Sequence, residues 1–248
     1  MNMVFLNFKN EFFKLFARKR YMVLGILGIL FCIIPPLIMT LIFAITRVGI
    51  NVTDIAMGNS AFIFTLWMPL IVFMATTDLF CSEFRNNNIK ISLMRPISRF
   101  KIYLSKILAV LALVGLNLGA FWLVSSLLEL AFNFSNALPN IGLSLAAFGV
   151  NLFPMLVLIL MTALINQIVK SSAFAILICI AIYAILSYAA VFVGWANGIF
   201  FVQYMQWDRI LVGSMLPFDT ILSRITLVLG YGITFFGAGI WLFDRKEF

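Results

Sequence analysis

Histidine is absent from this 248-residue chain, and charge of either sign is scarce, with Asp, Glu, Lys and Arg together making up 10%. Without histidine, most zinc sites and most general-base schemes are excluded. No G-x-x-x-x-G-K-[ST] phosphate loop occurs, so the chain cannot cradle nucleotide phosphates on backbone amides in the usual way. Serines and aspartates are present, but none are spaced as a nucleophile and its base. Cysteine is limited to Cys32, Cys81 and Cys179, each in or at the edge of an apolar run and none in a CxxC pair. They read as small apolar fillers, with no disulfide framework and no metal site. The expectation is a protein that is not an enzyme and carries no cofactor of its own.

What is abundant is apolar surface. Hydrophobic residues make up 64% of the chain, and the mean hydropathy is +1.12. A soluble domain could not cover that much. Crossing a bilayer takes about 20 apolar residues per helix, and six such runs are present, at about 22–45, 59–80, 104–128, 143–168, 172–196 and 221–243. The first is too long for the apolar core of a secretory signal and has no small-residue cleavage site after it, so it is read as a retained span. The expected fold is all-α and integral to the membrane. Residues 1–20 form an N-terminal amphipathic helix, and 21–248 form one six-helix transmembrane domain with no sign of an inverted repeat.

The net charge of +8 is distributed by membrane side. On this topology only Arg47, Arg209 and Arg224, of 17 Lys and Arg residues, fall on one side. Lys and Arg resist translocation, so the crowded side is read as cytoplasmic, with both termini there. Anionic lipid headgroups would attract that face, and nucleic acid is not an expected partner.

The longest polar interruption is Glu83 to Lys106, in which Arg85, Lys90, Arg95, Arg99, Lys101 and Lys106 face the single acid Glu83. Ile89, Ile91, Leu93, Met94 and Ile97 put apolar side chains among these charges, which a solvated linker would not need. The segment reads as a short surface helix, a Pro96-Ile97-Ser98-Arg99 turn, and the opening of span 3. Pro96 disfavours helix at Arg95 and sets the break. At the N-terminus, Phe5, Phe8, Phe12, Leu15 and Phe16 recur at helical spacing, with Lys9, Lys14, Arg18, Lys19 and Arg20 as the polar remainder. That is the composition of a helix lying in the membrane interface.

Inside the spans, Pro35-Pro36 and Pro69 must distort their helices, and Asp78 sits in the last turn of span 2. The prolines mark either bends along a pathway or plain packing kinks. Asp78 is either functional or paired with Arg85 or a basic residue of the N-terminal segment. Gly115 and Gly119 form a GxxxG pair. Between spans 5 and 6, residues 197–219 are too amphipathic for a loose loop. They read as a re-entrant or surface-lying helical hairpin, with Trp195, Phe200, Phe201, Tyr204 and Trp207 as an interfacial aromatic belt.

The pattern of Glu83, Ile89, Lys90, Leu93, Pro96, Ser98, Arg99, Tyr103 and Lys106 resembles the cytoplasmic coupling segment of ABC-2 type transporter permeases. Asn87-Asn88 stands where that family usually has Gly-Thr. The end-to-end layout is also similar. The resemblance implies a coupling helix between spans 2 and 3, an extracellular helical hairpin between spans 5 and 6, and an N-terminal helix whose Phe8, Phe12 and Phe16 touch an ATPase. It implies a permease subunit in a bacterial cytoplasmic membrane, paired with a second permease copy, more naturally an identical one, and two copies of a cytosolic ATPase that holds ATP and Mg. Glu83, Arg85, Lys90, Leu93, Arg95, Pro96, Ile97, Ser98 and Arg99 would receive the push of that ATPase. Pro35, Pro36, Pro69 and Asp78 are the candidate pathway or gating residues. The apolar bundle suits export of an amphipathic peptide, such as a toxin or antimicrobial, or of a lipophilic drug. The alternatives are an ion-coupled carrier, and an ABC permease for sodium or polysaccharide.

Overall fold

The computed structural model describes residues 3–46, 55–81, 98–132, 134–192, 198–207 and 217–245. Among them there is no strand, and six helices are long and apolar enough to cross a membrane. Helix α1 is Met3–Phe16 and α2 is Lys19–Thr46. Span 2 is a continuous rod: α3 (Ile55–Phe62), a π-helical turn (Ile63–Trp67), and α4 (Met68–Leu79). Then come α5 (Arg99–Phe132), α6 (Phe134–Val150), α7 (Leu152–Ile168), α8 (Ser172–Phe192) and α9 (Phe218–Arg245).

The helices form a centre and a rim. Of the span Gly58–Leu79, 61% is buried, and the same share of Ala137–Ile168, against 18% for α2 and 11% each for α8 and α9. The rod ending in α4 and the α7 helix are therefore the core. A helix apolar on all sides belongs either inside a bundle or against lipid, and here both kinds occur. Asn166 on α7 donates to the Thr76 hydroxyl on α4 at 3.3 Å, a polar stitch across the two core helices.

Two of the intramembrane prolines, Pro36 and Pro69, are accommodated by side chains of other elements. Pro36 cannot donate to the carbonyl of Cys32, four residues earlier; Asn59 Nδ2, on α3, donates to that carbonyl at 3.0 Å instead. Pro69 cannot donate to the carbonyl of Thr65. The Tyr183 hydroxyl, reaching in from α8, donates to it at 2.7 Å. The π-helical turn sits immediately before Pro69 and closes with the Met68 amide bonded to the Ile63 carbonyl. A lost backbone donor in an apolar setting is costly unless it is replaced. Pro36 and Pro69 are themselves buried, and Pro35 is half-buried.

Some expectations need correction. The sequence places an outer loop at Glu129–Gly142, but α5 runs on to Phe132 and α6 begins at Phe134. Packing overrides the turn signals of the Asn-Pro residues. Ala137 is buried, Ser144 accepts a hydrogen bond from Trp122 Nε1 at 3.0 Å, and Phe148 meets Phe64 edge-on at 5.0 Å. Span 4, whose interruption the sequence places at Pro154, has its non-helical residue at Asn151, three residues earlier. The aromatic residues after span 5 do not form an outward belt. Phe201 and Trp207 are buried in the bundle, Phe201 against Tyr231 and Phe235 of α9 and Trp207 against Phe153 of α7. The Trp207 amide donates to Asn151 Oδ1 at 2.9 Å, and Arg224 lies 5.4 Å from the Tyr204 ring. Of the hairpin, the described part is residues 198–207, holding one 3-10 turn at Phe201–Tyr204; Trp195 and residues 208–216 lie outside the described residues.

The Tyr183–Thr65 bond gives a direct test. Tyr183→Phe is expected to lower stability by about 1–3 kcal/mol, the cost of an unsatisfied buried carbonyl. Adding Pro69→Ala restores a backbone donor at that turn and returns part of the loss, read from thermal unfolding of the purified protein in detergent. A second substitution that returns nothing contradicts the assignment.

Candidate functional site

The resemblance-derived site centres on a segment whose middle lies outside the described residues: Glu83, Arg85, Lys90, Leu93, Arg95, Pro96 and Ile97. What the structure does place is both of its ends. On one side are the last turns of α4, through Cys81. On the other are Ser98 and the start of α5. Each end is held by a different set of elements.

The α4 end is clamped by α1 and the start of α2. Three donors converge on Oδ2 of Asp78: the Tyr21 hydroxyl, Arg18 and Arg20. Asp78 is therefore paired with basic residues of the N-terminal segment. Lys106 of α5 has no solvent exposure and Glu11 of α1 has 1%. The Lys106 ammonium lies 3.4 Å from Glu11 Oε2, donates to the Leu79 carbonyl at 3.1 Å, and sits 6.0 Å from the Phe80 ring. Leu79 ends α4, where carbonyls lack intrahelical partners and the helix dipole is negative, so a cation there is doubly favoured. Lys14 bonds the other Glu11 oxygen at 3.0 Å. Asn7, one turn earlier on α1, donates to Ser105. One residue past α4 and its capping Phe80, the Cys81 thiol donates to the Val169 carbonyl at 3.2 Å, tying this end to the C-terminus of α7.

The α5 end is anchored on α9. Ser98 sits at the N-cap, its carbonyl accepting the Ile102 amide at 3.2 Å. Arg99 donates to the backbone carbonyl of Asp244, near the end of α9. Tyr103 is fully buried among Phe80, Phe236 and Phe243, with ring centroids 5.7 to 5.9 Å away. It fits because residue 239 is glycine: a methyl group there would overlap the Tyr103 hydroxyl. The residues on either side of 82–97 are thus joined through Phe80 and Tyr103, and each is bonded to its own neighbours.

These contacts revise several expectations. The sequence counts Lys106 with the basic segment and with the opening of span 3; α5 starts at Arg99 and buries Lys106, whose partners include Glu11 and the Leu79 carbonyl. The sequence also gives α1 one apolar stripe, Phe5, Phe8, Phe12, Leu15 and Phe16, facing the membrane interface. Leu15 is buried and Phe8 and Phe12 pack on the core, but the deeply buried face also carries Asn7 and Glu11, while Phe5 and Phe16 are exposed. Phe8, Phe12 and Phe16 stack in a row at 6.1 and 6.0 Å. Tyr103 and Lys106 entered only as members of the coupling-segment pattern, and Asn7, Glu11, Tyr21 and Gly239 were not singled out from sequence as site residues. The available signal was the spacing Asn7, Glu11, Leu15, which puts two polar groups on one helix face with a buried leucine.

Breaking the Glu11–Lys106 pair from one side is expected to cost about 3–5 kcal/mol, since it strands a buried charge. Either Glu11→Gln or Lys106→Met should show that loss in detergent unfolding. Glu11→Leu combined with Lys106→Met should be closer to wild type than either single change. Additive losses would contradict a coupled pair.

A family model described as "ABC-2 family transporter protein" matches residues 7–187. The match takes in α1, the clamp on α4, the segment between spans 2 and 3, and the start of α5; α9 lies beyond it. No curated protein matches the chain. The six spans, the polar clamp at the end of span 2 and this match agree: the chain belongs to the ABC-2 transporter family, as a multi-pass, non-catalytic membrane subunit.

Proposed function

We propose that this chain is the permease subunit of an ATP-driven exporter, with a separate ATPase bound at residues 83–99. The family implies an ATPase partner. The observation that supports this docking place is the anchoring of the segment at both ends: α1 and α2 hold the α4 end, and α9 holds the α5 end. Because both ends are held, force on the segment enters the bundle through them. Its displacement is passed to α4 and α5, and from Asp78 and Glu11 to α1 and α2. ATP and Mg reside in the partner, and its closure supplies the work. In this reading the basic end faces the cytoplasm, Arg85 and Arg95 pair with acids of the ATPase, and Leu93 and Ile97 seat between them. Arg99 has a bond inside the chain to Asp244 and acts as a hinge pin.

Two permease copies would enclose the pathway, facing each other about a two-fold axis. The open apolar faces of α2 and α8 suit either that contact or lipid. The pathway carries few charges, which favours amphipathic peptides or lipophilic drugs as cargo. Of the two acids an ion-coupled mechanism could use, Asp78 is paired with Arg18 and Arg20 of the same chain, and Glu129 is buried on α5.

Arg85→Glu with Arg95→Glu is expected to reduce ATPase co-purification at least about tenfold, the scale of losing close interfacial charge pairs, and to abolish cargo-stimulated ATP hydrolysis in the reconstituted complex. Unfolding temperature should not change. Wild-type co-purification and transport in that variant would refute the docking site.

A further inference from the structure

The turn between α1 and α2 carries three consecutive cations, Arg18, Lys19 and Arg20. Asp78 is the acid that Arg18 and Arg20 share, with their side chains 36% and 43% exposed. Lys19 is exposed and makes no ion pair among the described residues. One carboxylate facing three cations leaves an excess of positive charge. Directly beside this turn lies an apolar groove of about 200 Å³ between α2 and α5, with Phe16, Tyr21, Gly25, Ile29, Leu113 and Asn117 in its wall. Phe16 and Tyr21 flank the cations in sequence and both line the groove, so the charged turn adjoins it. Gly25 leaves it open, since a side chain there would project toward Asn117.

We propose that this is a binding site for an anionic phospholipid, with the phosphate at Arg18–Arg20 and part of one acyl chain along α2 and α5. The argument is charge complementarity joined to an apolar slot. A cavity of about 150 Å³ lined by aliphatic and aromatic groups already holds a benzene ring, so the groove has room for several methylenes. Basic pockets beside membrane helices attract acidic headgroups at roughly 1 kcal/mol per cation. A soluble phosphate would use the cations but not the groove, and a zwitterionic lipid would use the groove but gain little from the cations. The bound lipid would brace the same turn that holds Asp78.

The test uses the full-length chain in mild detergent, with phosphatidylglycerol or phosphatidylcholine added, and counts retained lipid by native mass spectrometry. Wild type should retain phosphatidylglycerol preferentially. Lys19→Glu should lower that retention about fivefold or more, and Gly25→Leu, which fills the groove and leaves the cations intact, should lower it as well. If Gly25→Leu does not fold, Ile29→Phe narrows the same groove. The proposal is overturned by equal retention of the two lipids, or by phosphatidylglycerol retention that groove filling leaves unchanged. It is overturned equally if inorganic phosphate raises the unfolding temperature as much as phosphatidylglycerol does. It is also overturned if Lys19→Glu releases the ATPase while lipid retention stays at wild type, which would make the turn a protein contact.

Discussion

Lys106 is a charge with nowhere else to go. Its ammonium has no access to solvent and takes its partners from two other helices, Glu11 on α1 and the last carbonyl of α4. A buried ion must be paired and hydrogen-bonded or the fold cannot hold it. That requirement fixes where α1 lies, and α1 in turn delivers Arg18, Arg20 and Tyr21 to Asp78. The position of the first helix, the end of span 2 and the beginning of span 3 are therefore one electrostatic problem with one solution.

The consequence is mechanical. Span 2 reaches the segment 82–97 through a turn whose position is set by α1, and span 3 leaves it through a turn set by α9. Tyr103, inserted among Phe80, Phe236 and Phe243 over Gly239, joins the two sides by packing alone. At the middle of the bundle the rules differ. There backbone hydrogen bonds are lost at prolines within unbroken helices, and single polar side chains from neighbouring helices, Asn59 and Tyr183, replace the lost donors. The end is stiffened by ions and the middle is adjusted by single hydrogen bonds.

Much of this layout was legible in the sequence, for physical reasons. Length and hydropathy alone locate spans, because the bilayer sets a minimum run of apolar residues. The basic segment and the Pro-x-Ser-Arg turn stand out because charge is so rare elsewhere. Asp78 could be matched to the basic N-terminus because an isolated carboxylate near a span end needs a cation. What could not be read was which cation goes inward. Lys106 sits in a run of other Lys and Arg in the sequence, and only the approach of Glu11, 95 residues away, separates it from them. Likewise Pro36 and Pro69 announce lost donors, but not that Asn59 and Tyr183 replace them. The loop reading of 129–142 failed because local turn residues were outweighed by contacts with α3 and α5 that sequence does not display.

The central claim is that α1 and the span 2 rod move as one body. The most direct measurement is the distance between spin labels at exposed Phe13 on α1 and exposed Leu66 on the rod, in the complex with its ATPase, with and without ATP. The account predicts an unchanged Phe13–Leu66 distance while, in the proposed pair of permease copies, the Phe13–Phe13 distance between copies shifts. A Phe13–Leu66 distance that changes on ATP binding would show α1 separating from span 2, and would contradict it.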